Sequence, residues 1–317
     1  MYFPFVYGRR SEFLALRAML DHHNRSLEAL VPVIEPVKRN SSDLARCIKE
    51  FGKAGQTLAV ILNPDKHELK PKDEVKAWRK EVLEVVDEHD SILPTFRCVS
   101  TTTLAHISSF RKRFAGRKVA LAYSSPALTD AELKTLADDA DVRFHIVLNE
   151  KMTVAQQTLL PSAKRVDIRD YFNKLDRNSD YDGAELFTDR YKTFKPSWVG
   201  FGDYAAIGST FTPGGGQPAA VAIHAVYKHK SSDVWIEHFV SDDTDKDVGS
   251  TEDKFLQAAR KLVTAAKTRP KEFGTNLALD GYANHVAASH FPGLGTNKVL
   301  QLEHHICLML DLLDGTL

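Results

Sequence analysis

The chain has 317 residues, and 42 Lys and Arg set against 42 Asp and Glu leave no formal net charge. That balance excludes a general field drawing the protein toward polyanions, so nucleic-acid binding would need a local basic patch. Hydrophobic residues at 43% and charged residues at 26% suffice for a sizeable core and exclude disorder over most of the length.

No run approaches the 18 consecutive apolar residues of a membrane span, so none is expected. The three cysteines, Cys47, Cys98 and Cys307, are odd in number and widely spaced. The N-terminus MYFPFVYGRR lacks a basic-then-apolar signal, and both features fit a reducing, cytoplasmic setting.

In chain order, apolar β-branched runs alternate with segments of helical period. Strands are expected at 2 to 8, 31 to 37, 57 to 63, 92 to 99, 119 to 124, 143 to 149, 165 to 170 and 198 to 203. Helix candidates lie between them, among them SSDLARCIKEFGKAG and DEVKAWRKEVLEVVDEH, several opening on Ser, Thr or Asp as an N-cap. Eight strands with intervening helices predict an α/β fold, a (β/α)8 TIM-like barrel. The pattern changes at 219 to 240, two long β runs around a polar turn that read as a hairpin. A turn near Ser231 sets His224 opposite His238 on one face. The segment 205 to 250 then reads as a β-hairpin insertion, and 251 to 317 as helices closing the barrel, all in a single domain over 1 to 317.

In a parallel barrel the loops after the strands form one rim. The strand ends give Arg9, Glu35, Asn63, Arg97, Asn149, Asp167, Arg169, Asp203 and Tyr204 as candidates. Glu35 is the most informative, because a carboxylate inside the apolar run VIEPV needs a partner. Arg97 in TFRCV offers one, and Asp167 with Arg169 offers a second pair. Glu35, Asp203 and Asp167 are the expected acid or base groups, and Arg97 or Arg169 the clamp for a small anionic ligand. Arg9, Asn63, Asn149, Tyr204, His224 and His238 complete the expected binding set. Buried ion pairing alone would account for the same charges.

Other chemistry finds less support. DRNSDYDG at 176 to 183 resembles half a calcium loop, but the twelfth position counted from Asn178 is Asp189, not Glu. His304 and His305 are adjacent on a helix and diverge by about 100°. No metal site is expected, and no nucleophile elbow, phosphate loop or dinucleotide fingerprint names a cofactor. The basic run RKRFAGRK at 111 to 118 reads as the solvated end of a helix, so no direct nucleic-acid contact is expected.

Several segments together, MYFPFVYGRRSEFLAL, GFGDY, PGGGQPAAVAIHAVY with EHFVSDD, and FPGLGTNKVLQLEHHICLML, resemble the bacterial and phage beta protein family. The resemblance runs from end to end in the same order. It marks Tyr2, Pro4, Gly8, Arg9, Glu12, Asp203, Tyr204, His224, His238, Ser241, Asp242, Gly293, Gly295, Lys298, His304 and His305, none with a catalytic assignment. It implies a phage-related or defence-associated setting, often beside a small nuclease-like protein that would be a partner. Gln301 and Glu303 depart from the more apolar run expected before the two histidines. Two functions are therefore expected: a binding component of such a module, or a hydrolase or lyase acting on a small phosphorylated or anionic molecule at the barrel mouth.

Overall fold

A computed structural model describes residues 1–214, 216 and 218–317; Gly215 and Gln217 of the PGGGQP segment lie outside the described residues. The strands are β1 (Phe5–Gly8), β2 (Val33–Pro36), β3 (Leu58–Ile61), β4 (Ile92–Cys98), β5 (Val119–Tyr123), β6 (Val142–Leu148), β7 (Arg165–Arg169), β8 (Ala184–Thr188), β9 (Gly200–Asp203), β10 (Ala222–Lys228) and β11 (Val234–Val240). The helices are α1 (Arg10–Ala18), α2 (Ser42–Lys53), α3 (Lys72–Asp87), α4 (Leu104–Arg113), α5 (Asp130–Asp138), α6 (Val154–Thr158), α7 (Arg190–Thr193), α8 (Thr251–Thr268), α9 (Pro270–Phe273), α10 (Leu277–Ala287) and α11 (Leu294–Asp314). None of the described helices is long and apolar enough to cross a membrane. The three cysteines are buried thiols outside any disulfide.

By packing, the chain divides into two compact units where the sequence reading takes 1 to 317 as one domain. The first comprises Met1–Phe13, Leu27–Asp170 and Lys192–Tyr204. Its eight parallel strands run in the order β1-β2-β3-β4-β5-β6-β7-β9, and they are the eight runs read from the sequence. A bridge between Tyr2 and Phe201 brings the last strand back to the first, so the barrel is nearly closed. Phe3 N donates to Phe201 O at 2.9 Å and Phe201 N to Met1 O at 3.1 Å across that seam.

The seam explains the glycines of VGFGD. A Cβ on Gly200 would lie 2.4 Å from the Phe3 ring, and one on Gly202 would lie 1.9 Å from the Phe3 carbonyl oxygen. Only glycine lets the two chains approach this closely. Helix starts follow the sequence signals: Thr103, Thr129, Thr153 and Ser250 each form a capping box with the residue three positions on.

The second unit comprises Leu14–Ser26, Tyr171–Tyr191 and Ala205–Leu317. The expected hairpin is present, with His224 in register with His238. Its sheet has a third strand, in the order β10-β11-β8. β8 escapes a reading of AELFT because only its last two residues are buried, so no apolar alternation marks it. The sheet packs with α8 and α10 around Phe255, Phe273 and Tyr282.

The closing helix α11 buries more than an apolar stripe: Glu303, His304 and His305 are buried too. Glu303 lies 2.8 Å from His22 Nε2, and His304 Nε2 donates to Val226 O at 2.8 Å. Burial pushes His304 down to about 4, so it is a neutral structural donor.

Candidate functional site

Strand alternation sorts the barrel's rim residues onto two faces. Side chains two apart share a face, and register partners in adjacent strands share it too. The rings of Phe3 and Phe144 meet edge to face at 5.0 Å, which fixes the interior side. From Phe3, that side runs through Phe5 and Tyr7 on β1, Val33 and Glu35 on β2, and Thr95 and Arg97 on β4. Tyr204, just beyond β9, packs its ring 4.8 Å from that of Phe5 and belongs to the same side.

The mouth is therefore built around Tyr7, Glu35, Arg97 and Tyr204, over an apolar layer that includes Phe5 and Val33. Glu35 is 1% exposed, and its Oε1 accepts from Arg97 Nη1 at 2.5 Å. The same Arg97 nitrogen donates to Asp65 Oδ1 at 2.5 Å, and Lys66 Nζ stands 4.0 Å from Glu35 Oε2. Burial raises Glu35 to about 6 even though Arg97 and Lys66 pull the other way. Arg97 moves up instead, since two carboxylates outweigh its own burial. Tyr7 and Tyr204 are both raised, chiefly by burial. At neutral pH the mouth thus holds two neutral phenols beside a carboxylate that gains a proton readily.

The expected pairing of Glu35 with Arg97 is found, and the asparagines support it. Asn63 spends its amide on Arg97: Nδ2 donates to Arg97 O and Oδ1 accepts from Arg97 N, both at 2.8 Å. It acts as an extra rung between β3 and β4. Asn149 Oδ1 accepts from Asp170 N at 2.9 Å, and its Nδ2 lies 3.4 Å from the Tyr204 hydroxyl. Arg9 follows β1, partly exposed, and its charge opposes the rise at Tyr7.

Of the expected site residues within the barrel unit, three do not join this group. Asp203 lies on the face opposite Gly202 and Tyr204, is fully buried, and accepts from the Tyr2 hydroxyl at 2.9 Å. Asp167 and Arg169 share that outer side, since Arg169 is the register partner of Asp203. They pair with each other at 2.8 Å, and Arg169 reaches Glu150 at 2.6 Å. The expected second ion pair is real, but it faces away from the barrel interior. Asp203 and Asp167 therefore lack access to a molecule held against Glu35.

Sequence reading missed Tyr7, whose only signal is its spacing of two from Phe5 in FVYG. It also missed Asp65 and Lys66, which lie in the loop after β3, where no periodicity marks them. A cavity of about 560 Å³ lies outside the barrel beside α3 and α4, bordered by Asn63, Arg79, His106 and Phe110.

In the second unit, His224 Nδ1 lies 2.8 Å from His238 Nδ1, and His238 Nε2 lies 3.4 Å from Glu185 Oε1. No group of three or more metal-ligating side chains with suitable geometry occurs among the described residues. Comparison of the chain with protein-family models, curated proteins and solved structures gave no match.

Proposed function

We propose that the barrel unit binds a small anionic or phosphorylated molecule at its mouth and that Glu35 exchanges a proton with it in a hydrolytic or eliminative reaction. The observation that carries this reading is the buried carboxylate held near pH 6 beside Arg97, Tyr7 and Tyr204. A group titrating there serves as acid or base close to neutrality. When Glu35 takes a proton, Arg97 loses one of its two carboxylate partners, and its guanidinium becomes available to an anionic oxygen.

A second reading, a binding component of a phage-related or defence module, draws on two other observations. Arg169 pairs with both Asp167 and Glu150, and Leu277 and Leu294, at the starts of α10 and α11, are 52% and 40% exposed. A protein partner, such as a nuclease-like neighbour, would then cover the apolar residues.

A thermal-shift screen against nucleotides, sugar phosphates and divalent metals separates the two. The first reading expects a ligand that raises the wild-type midpoint, loses its effect in Glu35→Gln and Tyr204→Phe, and keeps it in Asp203→Asn. If no ligand stabilises the wild type, the mouth charges are an ion-pair network and the binding-component reading stands.

A further inference from the structure

In α3, Lys72, Arg79 and Leu83 stand seven and four residues apart and so share one helix face. In α4 and its C-cap, His106, Phe110 and Phe114 do the same at intervals of four. Together they border the cavity of about 560 Å³ outside the barrel. Its apolar wall is a run of rings, Phe96 at 5.2 Å from Phe110 and Phe110 at 5.0 Å from Phe114, extended by Leu83 and Val99. No carboxylate occurs among its described lining residues.

Arg79 is the charged group set into this wall. Its Nε donates to Leu62 O at 2.7 Å, which fixes the plane of the guanidinium. Neither Nη makes a hydrogen bond or ion pair among the described residues. Carboxylates beside Arg97 and Arg111 raise those two groups, whereas burial lowers Arg79 and no charge offsets it. Arg113, the other guanidinium of the lining, is paired with Asp87 and lies over the Phe114 ring. A guanidinium drawn out of water without a counter-charge is costly, so an anion entering the cavity supplies what Arg79 lacks. The two Nη groups form a planar fork that matches one carboxylate, and the rings beside it match an apolar body. One fork in a mostly apolar wall favours a monocarboxylate over a doubly charged, more strongly hydrated phosphate.

We propose that this cavity binds an amphipathic monocarboxylate, an acid group on an apolar body, with the Nη edge of Arg79 holding the carboxylate and the Phe96, Phe110 and Phe114 rings covering the body. The site lies within the first unit but outside the barrel interior, and it does not rest on the chemistry proposed for Glu35. Lys72, exposed at the border, adds only a screened charge.

The test is methyl ¹H–¹³C spectroscopy of the full chain labelled at Leu and Val, titrated with 2-naphthoate in one arm and octanoate in the other. One arm or both should move the methyl resonances of Leu62, Leu83 and Val99 saturably, which identifies an aromatic or an aliphatic body. The matching alcohols, 2-naphthalenemethanol and octan-1-ol, should bind about tenfold more weakly. Arg79→Gln should remove the preference for the acid, while Lys72→Gln should change acid binding less than about threefold. If Arg79→Gln does not fold, the comparison of acid with alcohol in the wild type decides alone. The proposal is overturned by no saturable shift of these methyls in either arm, by equal binding of acid and alcohol, or by an acid preference that survives Arg79→Gln or is lost in Lys72→Gln.

Discussion

Glu35 contains most of the barrel's functional argument in one carboxyl group. Its value of about 6 lies above the ordinary 4.5, so the folded state holds the proton more tightly than the unfolded chain. The stability this contributes is fully present below pH 4.5 and is lost as pH rises through 6, about 2 kcal/mol in all. Urea unfolding at pH 4.5 and pH 7 should show that loss in the wild type and not in Glu35→Gln; equal pH dependence in the two would assign the value to another group. Tyr2→Phe should cost about 1–3 kcal/mol by removing the donor to a buried carboxylate, with ligand binding at the mouth intact. Glu35 and Arg97 were legible because a charge inside an apolar strand announces its need for a partner. Asp203 was not legible as a structural residue, since a strand end places it near the rim but does not say which face it takes. The alternation of GFGDY divides Gly202 and Tyr204 from Asp203, and only the approach of β9 to Phe3 fixes which set points inward.

Among the elements, β9 is the most constrained. The Cβ of Gly202→Ala would meet main chain 1.9 Å away, and a backbone atom cannot rotate aside as a side chain can. The substitution should therefore cost about 3 kcal/mol or more by forcing the seam apart, measurable as a lower urea midpoint. An unchanged midpoint would mean that the seam is looser than its hydrogen bonds indicate. Helix α8 offers a contrasting case. Ser250→Ala removes one capping box and should cost about 1 kcal/mol, read from the same titration. The cap was written in the sequence as Ser250 followed three residues later by Asp253, and so were the barrel strands, as β-branched runs at regular spacing. β8 was not, because a short strand exposed at Ala184 and Leu186 is specified by its partner β11 rather than by its own pattern. Without β8, the alignment of Glu185 with the paired histidines could not be read.

At the scale of the whole molecule, zero net charge directs attention to the one basic run, and the structure shows where those charges go. Arg111 pairs with Asp139 at 2.7 Å and with Asp141 at 3.0 Å, Arg113 pairs with Asp87, and Lys118 reaches Asp141 at 3.4 Å. Arg117 donates to the carbonyls of Val86, His89 and Ile92 at 2.8 to 3.0 Å. Four of the five cations of RKRFAGRK are thus spent on tying α4 and the start of β5 to neighbouring segments. A polyanion would have to displace these intramolecular carboxylates, which forfeits the counterion release that drives non-specific binding. A labelled DNA duplex titrated at about 50 mM salt, followed by fluorescence anisotropy, should accordingly show no saturation below about 100 µM protein. Tight binding with a steep negative dependence on salt would overturn this account and make 111 to 118 a nucleic-acid surface. Arg111→Gln provides the complementary check. If the run is structural, the substitution lowers unfolding stability by about 1 kcal/mol, as loss of a partly buried bidentate pair should; if the run binds nucleic acid, the same substitution weakens DNA binding instead.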